Sequence, residues 1–153
     1  PKGSRILELG YGGAETAGKI LERGFIYYGV DISEHLYENA KKNYSNYIKN
    51  EQAYFYQGSL EEKLNFKDNF FDLVISINTL HNLKLNDLEK SITEIERLGK
   101  NKFICVESYK NEFEQFNLQC WALTAETIID TNSWKWLLKK FLYTGDYEFI
   151  YFS

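Results

Sequence analysis

The stretch Ile6-Leu7-Glu8-Leu9-Gly10-Tyr11-Gly12-Gly13-Ala14 constrains the fold of this chain more than any other. An apolar run, Arg5–Leu9, breaks into glycines, and a helical pattern follows from Ala14 to Arg23, stopped by Gly24. Glycines at such a join let the backbone turn sharply and approach a ligand closely. The helix behind them offers unpaired N–H groups at its start. A strand running through a glycine turn into a helix is the opening of an open α/β sheet, where ligands settle at the carboxyl ends of the strands.

The pattern continues in that mode. Phe25–Val30 reads as a second strand closed by Asp31, and Ser33 is a good N-cap for a helix to about Tyr47, weakly supported by Glu38 and Lys42 at i,i+4. Ala53–Gln57 is a third strand. Phe71–Ile77, apolar almost throughout, is a fourth, as expected for a strand covered on both faces. Asn86 with Glu89 three residues on forms a capping-box pattern for a helix that aligns Leu88, Ile92 and Ile95 and ends at Gly99. Lys102–Glu107 is a fifth strand. Regular alternation predicts a doubly wound, mostly parallel sheet flanked by helices.

The last third is less regular. Leu118–Ile129 reads as a strand or as part of a lid. Asn132 or Ser133 caps a helix that packs Trp134 with Leu137 and Leu138 and leaves Trp136 partly exposed. Tyr147–Phe152 is expected to be a final strand at or near a sheet edge, antiparallel to its neighbours.

Composition removes several function classes. The 153 residues, 44% hydrophobic and 26% charged, can bury a real core as one domain, residues 1–153. The net charge of −4 and the lack of a basic cluster disfavour nucleic acid as a partner. Cys105 and Cys120 lie in apolar surroundings and read as reduced, mostly buried thiols. With His35 and His81 far apart, no metal-ligand set emerges from spacing. No apolar run reaches the ~18 residues that span a bilayer and no signal peptide is seen, so the membrane is not an expected partner and the cytoplasm is the expected compartment. The chain contains no Met, and the expectation is a piece of a longer protein lacking an N-terminal helical segment.

The acids near the glycines select among ligands. A nicotinamide fingerprint, GxGxxG from Gly10, fails because Glu15 holds its sixth position. Glu15 at the first turn of the helix, and Glu8 before the glycines, repel a pyrophosphate and suit a ligand with a positive centre. Asp31 can accept two hydrogen bonds from a ribose.

On these residues the chain resembles the class I S-adenosylmethionine-dependent methyltransferases. Glu8-Leu9-Gly10-Tyr11-Gly12-Gly13 is similar to their first motif, Gly29-Val30-Asp31-Ile32-Ser33 to the ribose-binding motif, Gln57-Gly58-Ser59-Leu60 to the adenine-contacting segment and Phe71–Asn78 to the fourth-strand motif. The resemblance covers roughly residues 4–108. Ala14, Tyr11 and Ser59 depart from the usual residues. The resemblance implies a Rossmann-like fold with S-adenosylmethionine as cofactor, held by Glu8, Gly10, Tyr11, Gly12, Asp31, Ile32, Ser59, Leu60 and Asn78. It also implies methyl transfer to a small-molecule acceptor, such as a sugar or sugar-nucleotide. His81, after the fourth strand, is the candidate general base. Asn82, Glu107, Tyr109 and Trp121 are candidate acceptor contacts. Two rival readings are a non-catalytic binding module and a nicotinamide-dependent oxidoreductase.

Overall fold

A computed structural model describes residues 1–153. Six strands, β1 (Arg5–Leu9), β2 (Ile26–Asp31), β3 (Ala53–Gln57), β4 (Phe71–Ile77), β5 (Gly99–Glu107) and β6 (Asp146–Ile150), form one sheet in the order β3-β2-β1-β4-β5-β6. Every neighbouring pair is parallel. Parallel neighbours need a crossover, and the helices supply most of them. Helix α1 (Glu15–Glu22) joins β1 to β2, and α2 (Glu34–Asn43) with α3 (Ser45–Lys49) joins β2 to β3. Helix α4 (Leu85–Leu98) joins β4 to β5, and α5 (Glu112–Trp121) with α6 (Thr131–Lys140) joins β5 to β6.

Period-two alternation sorts each strand between two cores. Leu7, Leu9, Val30, Val74, Ile104 and Val106 pack with Leu88, Ile92 and Ile95 of α4 and with Trp134 and Leu138 of α6. Tyr27, Ala53 and Phe55 pack on the other face with Ala17 and Leu21 of α1 and Ala40 of α2. The chain reverses its direction of travel across the sheet between β1 and β4, so the loops after these two strands face each other across a crevice.

The final strand is parallel, not antiparallel. Its register pairs Phe103 with Asp146 and Glu107 with Ile150. Helix α6 returns the chain to the end of the sheet where β5 began, and a strand entering from that end runs with β5. It is an edge strand, as expected. Leu118–Ile129 divides into the last turn of α5 and an irregular segment. Cys105 is buried, but Cys120 is exposed on α5. Trp134 is fully buried and Trp136 is exposed.

Two caps differ from the expected ones. Helix α4 starts at Leu85, with Lys84 at its N-cap and no side-chain cap bond, so Asn86 lies within its first turn. At α6 the capping acceptor is Asp130, whose Oδ1 accepts from Asn132 N at 2.8 Å and Ser133 N at 3.1 Å. Ser33 caps α2 as read, accepting from Leu36 N. Glu38 pairs with Lys41 at i,i+3 instead of Lys42.

Asp130→Ala removes the acceptor for two free N–H groups of α6 and is expected to cost about 1–2 kcal/mol. Asn132→Ala is expected to change stability by about 0.5 kcal/mol or less. Urea-unfolding midpoints of the two variants check this ranking.

Candidate functional site

Gly10 ends β1 with φ +76°, and a Cβ built there would lie 2.2 Å from the Thr79 Cγ2 methyl. Only glycine meets both conditions. Thr79 Oγ1 donates to Gly10 O at 3.1 Å, which ties the glycine turn to the loop after β4. Gly12, at φ +50°, faces open space where a Cβ would meet nothing.

Asp31 holds the far side of the turn. Its Oδ2 accepts from Gly12 N and its Oδ1 from Ser33 N, both at 3.0 Å. One carboxylate thus fixes the glycine turn and the entry to α2. Asp31 is 8% exposed and has no cationic partner within ion-pair distance.

Between these loops lies a cavity of about 410 Å³, within the range of about 300–1,000 Å³ usual for small-molecule sites. Seven residues expected at the cofactor line it: Gly10, Gly12, Asp31, Ile32, Ser59, Leu60 and Asn78. Ile32 is 68% exposed, an apolar side chain held out of the core at the cavity. Asn78 takes φ +53°, a left-handed conformation that asparagine tolerates. Leu36, Glu61, Thr79, Asn82 and Leu83 complete the lining. Of these, only Asn82 carried a signal in the sequence. Thr79 could have been found only through its contact with Gly10, which is remote in sequence.

Glu8 and Tyr11 are near this cavity but do not line it. Glu8 alternates onto the α1 face of β1, where its Oε2 accepts from Tyr27 Oη at 2.6 Å. Burial, with the Asp31 carboxylate as a lesser contribution, pushes its carboxyl up to about 7. The Tyr11 ring packs edge-on against Phe55, its buried hydroxyl has no partner, and burial raises its ionisation above the ordinary tyrosine range. His81 is also off the cavity. It lies in a 3₁₀ turn, Leu80–Asn82, buried against Glu107 at the end of β5. Tyr109 follows on the same loop, half-buried.

The lining residues fit S-adenosylmethionine on the chemistry of this structure. A carboxylate with no cationic partner, apolar Ile32 and Leu60, and Gly12, whose Cβ position is open space, line one cavity. No three His, Cys, Asp or Glu side chains converge to hold a metal ion, and no helix is long and apolar enough to cross a membrane.

Residues 7–106 match the model of a family described as a methyltransferase domain. The chain belongs to that family, the S-adenosylmethionine-dependent methyltransferases of the Rossmann-like class I type, whose cofactor is S-adenosylmethionine. It is 28% identical over 115 residues to YqeM of Bacillus subtilis, a candidate methyltransferase by name, a match covering 74% of this chain and 45% of YqeM. It is 34% identical over 104 residues to the highly reducing polyketide synthase verA of Penicillium polonicum, covering 63% of this chain and 4% of the synthase. The crystal structure of the YcgJ protein of Bacillus subtilis superimposes with a TM-score of 0.72 at 20% identity, over 91% of this chain and 61% of that one. The chain therefore spans less than half the length of either curated relative.

Glu8 gives a pH signature. Below pH 4.5 the folded and unfolded chains both hold its proton, and between 4.5 and about 7 the folded chain alone holds it. Stability therefore falls as pH rises through this window, by about 3 kcal/mol from this group. Glu8→Gln is expected to remove that component. Urea unfolding at pH 5 and pH 8 checks it, the variant gaining on the wild type at the higher pH.

Proposed function

We propose that this chain binds S-adenosylmethionine in the cavity between the loops after β1, β2 and β4 and transfers its methyl group to a small-molecule acceptor. Family membership supports the reaction class. The observation that carries the reading is Asp31: a buried carboxylate facing the cavity, held by two backbone N–H groups and matched by no cation of the chain. Such a group accepts from a vicinal diol, and its free negative charge favours a ligand with a positive centre over a pyrophosphate.

S-adenosylmethionine, when bound, supplies a methyl group on a positively charged sulfur that leaves as a neutral thioether. The protein's share is binding, orientation and exclusion of water. Gly10 and Gly12 let the backbone approach the ligand, Ile32 and Leu60 give the adenine an apolar slot, and Asp31 holds the ribose. Glu8, buried behind the turn, makes no contact with the cavity and holds its proton to about 7, so the negative charge facing the ligand is that of Asp31. Holding donor and acceptor together can supply much of the acceleration. Asn78, Thr79 and Asn82, on the side of the cavity nearest β5, offer amide and hydroxyl groups suited to a polyhydroxylated acceptor such as a sugar or sugar-nucleotide.

Calorimetric titration with S-adenosylhomocysteine is expected to show binding, with none for the oxidised nicotinamide dinucleotide. The reverse result overturns the reading. Asp31→Ala is expected to weaken binding of S-adenosylhomocysteine at least tenfold, about 1.4 kcal/mol or more. An unchanged affinity removes Asp31 from the site.

A further inference from the structure

Helices α5 and α6 each bury one face and leave the other uncovered. On α5 the buried residue is Leu118, and Phe113, Phe116 and Cys120 fall at i, i+3 and i+7 on the opposite side. Leu123 continues that stripe past the end of the helix. On α6, Trp134, Leu137 and Leu138 are buried, whereas Trp136 is exposed, with Lys139 and Lys140 following it at i+3 and i+4. Phe113, Phe116, Leu123, Trp136 and Leu142, the last in the turn beyond α6, are each between 60% and 87% exposed. Single exposed apolar residues are ordinary, but large ones gathered on two helix faces mark an interaction surface.

The charges around the two stripes have opposite sign. Residues 111–126 hold Glu112, Glu114 and Glu126 and no Lys or Arg, a charge of −3, and residues 131–142 hold Lys135, Lys139 and Lys140 and no Asp or Glu, a charge of +3. None of these six has an ion-pair partner within the chain. Both faces are also held in fixed positions. Asn111 Oδ1 caps α5 by accepting from Glu114 N at 2.9 Å, and Asn117 Nδ2 donates to Phe152 O at 3.0 Å. Past the helix, Thr124 Oγ1 donates to Asn82 Oδ1 and Glu126 N to His81 O, each at 2.9 Å. Asp130 caps α6 in turn. Surfaces ordered in advance leave little ordering cost for association.

We propose that these faces meet between two copies of this chain, α5 of one protomer on α6 of its partner, in a twofold homodimer. The occupant follows from the charges. Setting α5 against a second α5 opposes three carboxylates to three, and setting α6 against a second α6 opposes three ammonium groups to three. Like charges brought together across an interface are costly. The α5–α6 pairing instead brings Phe113 and Phe116 against Trp136, the kind of side chain that interface centres favour, and leaves opposite charges at the rim to set the register. A twofold axis repeats the contact with the roles of the protomers exchanged. The repetition supplies area. One pair of ten-residue helix faces, each about 15 Å long, falls short of the roughly 1,200–2,000 Å² of a stable interface, and two pairs approach it. Thr124, next to Leu123 of the stripe, is bonded to Asn82 of the cavity lining, so the partner's α6 bears on the segment that holds one wall of the cavity.

Light scattering behind gel filtration reads the mass in solution. Twice the mass of one chain is expected at micromolar concentrations. A monomer throughout overturns the proposal, and so do species that grow with concentration, because a contact that stays open is not closed by a twofold axis. Two charge-reversed proteins locate the contact. One carries Glu112→Lys with Glu126→Lys, the other Lys135→Glu with Lys139→Glu, all at exposed positions. Each alone is expected to be monomeric, because both of its faces then bear one sign. Their equimolar mixture is expected to dimerise, because every pairing in it joins opposite signs. A variant that stays dimeric alone, or a mixture that stays monomeric, overturns the proposal. Cys120 gives a reading that needs no variant and decides the matter where a variant loses its far-UV circular dichroism. Cys105 is buried and Cys120 is exposed, so Ellman's reagent reports on the α5 stripe. The Cys120 thiol is expected to react at least fivefold more slowly in the dimer than in the chain diluted to monomer, and equal rates remove α5 from the interface.

Discussion

The carboxylate of Asp31 is the interaction on which the site depends. Its two oxygens hold the N–H of Gly12 and the N–H of Ser33, groups that belong to different crossovers. Asp31 O also accepts from Gly58 N, at the end of β3. The turns after β1, β2 and β3 are therefore referred to one residue. Thr79 performs the matching task from the other side, its one hydroxyl proton lying within reach of both Gly10 O and Ile77 O. Four strand ends are fixed around a shared space before any ligand arrives, and little ordering cost is left for binding.

The charge balance of that space follows from where the acids lie. Asp31 is satisfied by backbone donors and faces the cavity. Glu8 is one strand away, on the α1 face, and keeps its proton to about 7 because burial costs the charged form more than the Tyr27 hydroxyl returns. Glu107 is buried at the end of β5 and is answered only by His81. Carboxylates that carry no cation of the chain, or only a titratable one, are poor contributors to stability. They make sense where a cation or a proton is the thing to be handled.

The parts of this arrangement legible in the sequence are those set by local chemistry. The bounds of β1, β3 and β4 follow from mostly apolar runs that end in glycine or polar residues. Ser33 was legible as a cap because its helix begins at once behind it. Asp31, Gly10 and Gly12 were legible because a glycine turn and a strand-end acid have few other uses. The direction of β6 was not, because it depends on the end of the sheet to which α6 returns the chain. Asn86 and Asn132 have the right chemistry for caps, but Lys84 and Asp130 occupy the positions where the backbone turns. Glu8 is legible in sequence as an acid beside the glycine turn, but its side of the sheet is decided by alternation and by its contact with Tyr27 on the neighbouring strand. Cys120 is exposed although its neighbours are apolar, because apolar neighbours on an exposed helix look in sequence like those of a core.

The same distinction separates the donor half of the site from the acceptor half. The donor half is built from successive turns at the ends of β1, β2 and β3, and each turn must bend the backbone, so its residues are marked by glycine, aspartate and serine. On the proposed reading, the acceptor half is built from side chains at the ends of β4 and β5 and from α5, which meet only when the sheet is complete. His81 and Glu107 are 2.5 Å apart in space across two neighbouring strands. Nothing in the local sequence of either requires the other. A fold of this kind can therefore keep its donor half while its acceptor half varies through substitutions that leave the sheet intact. The cofactor-side motifs are legible from the first half of the chain, whereas the meeting of His81, Glu107 and Trp121 is visible only in the completed sheet.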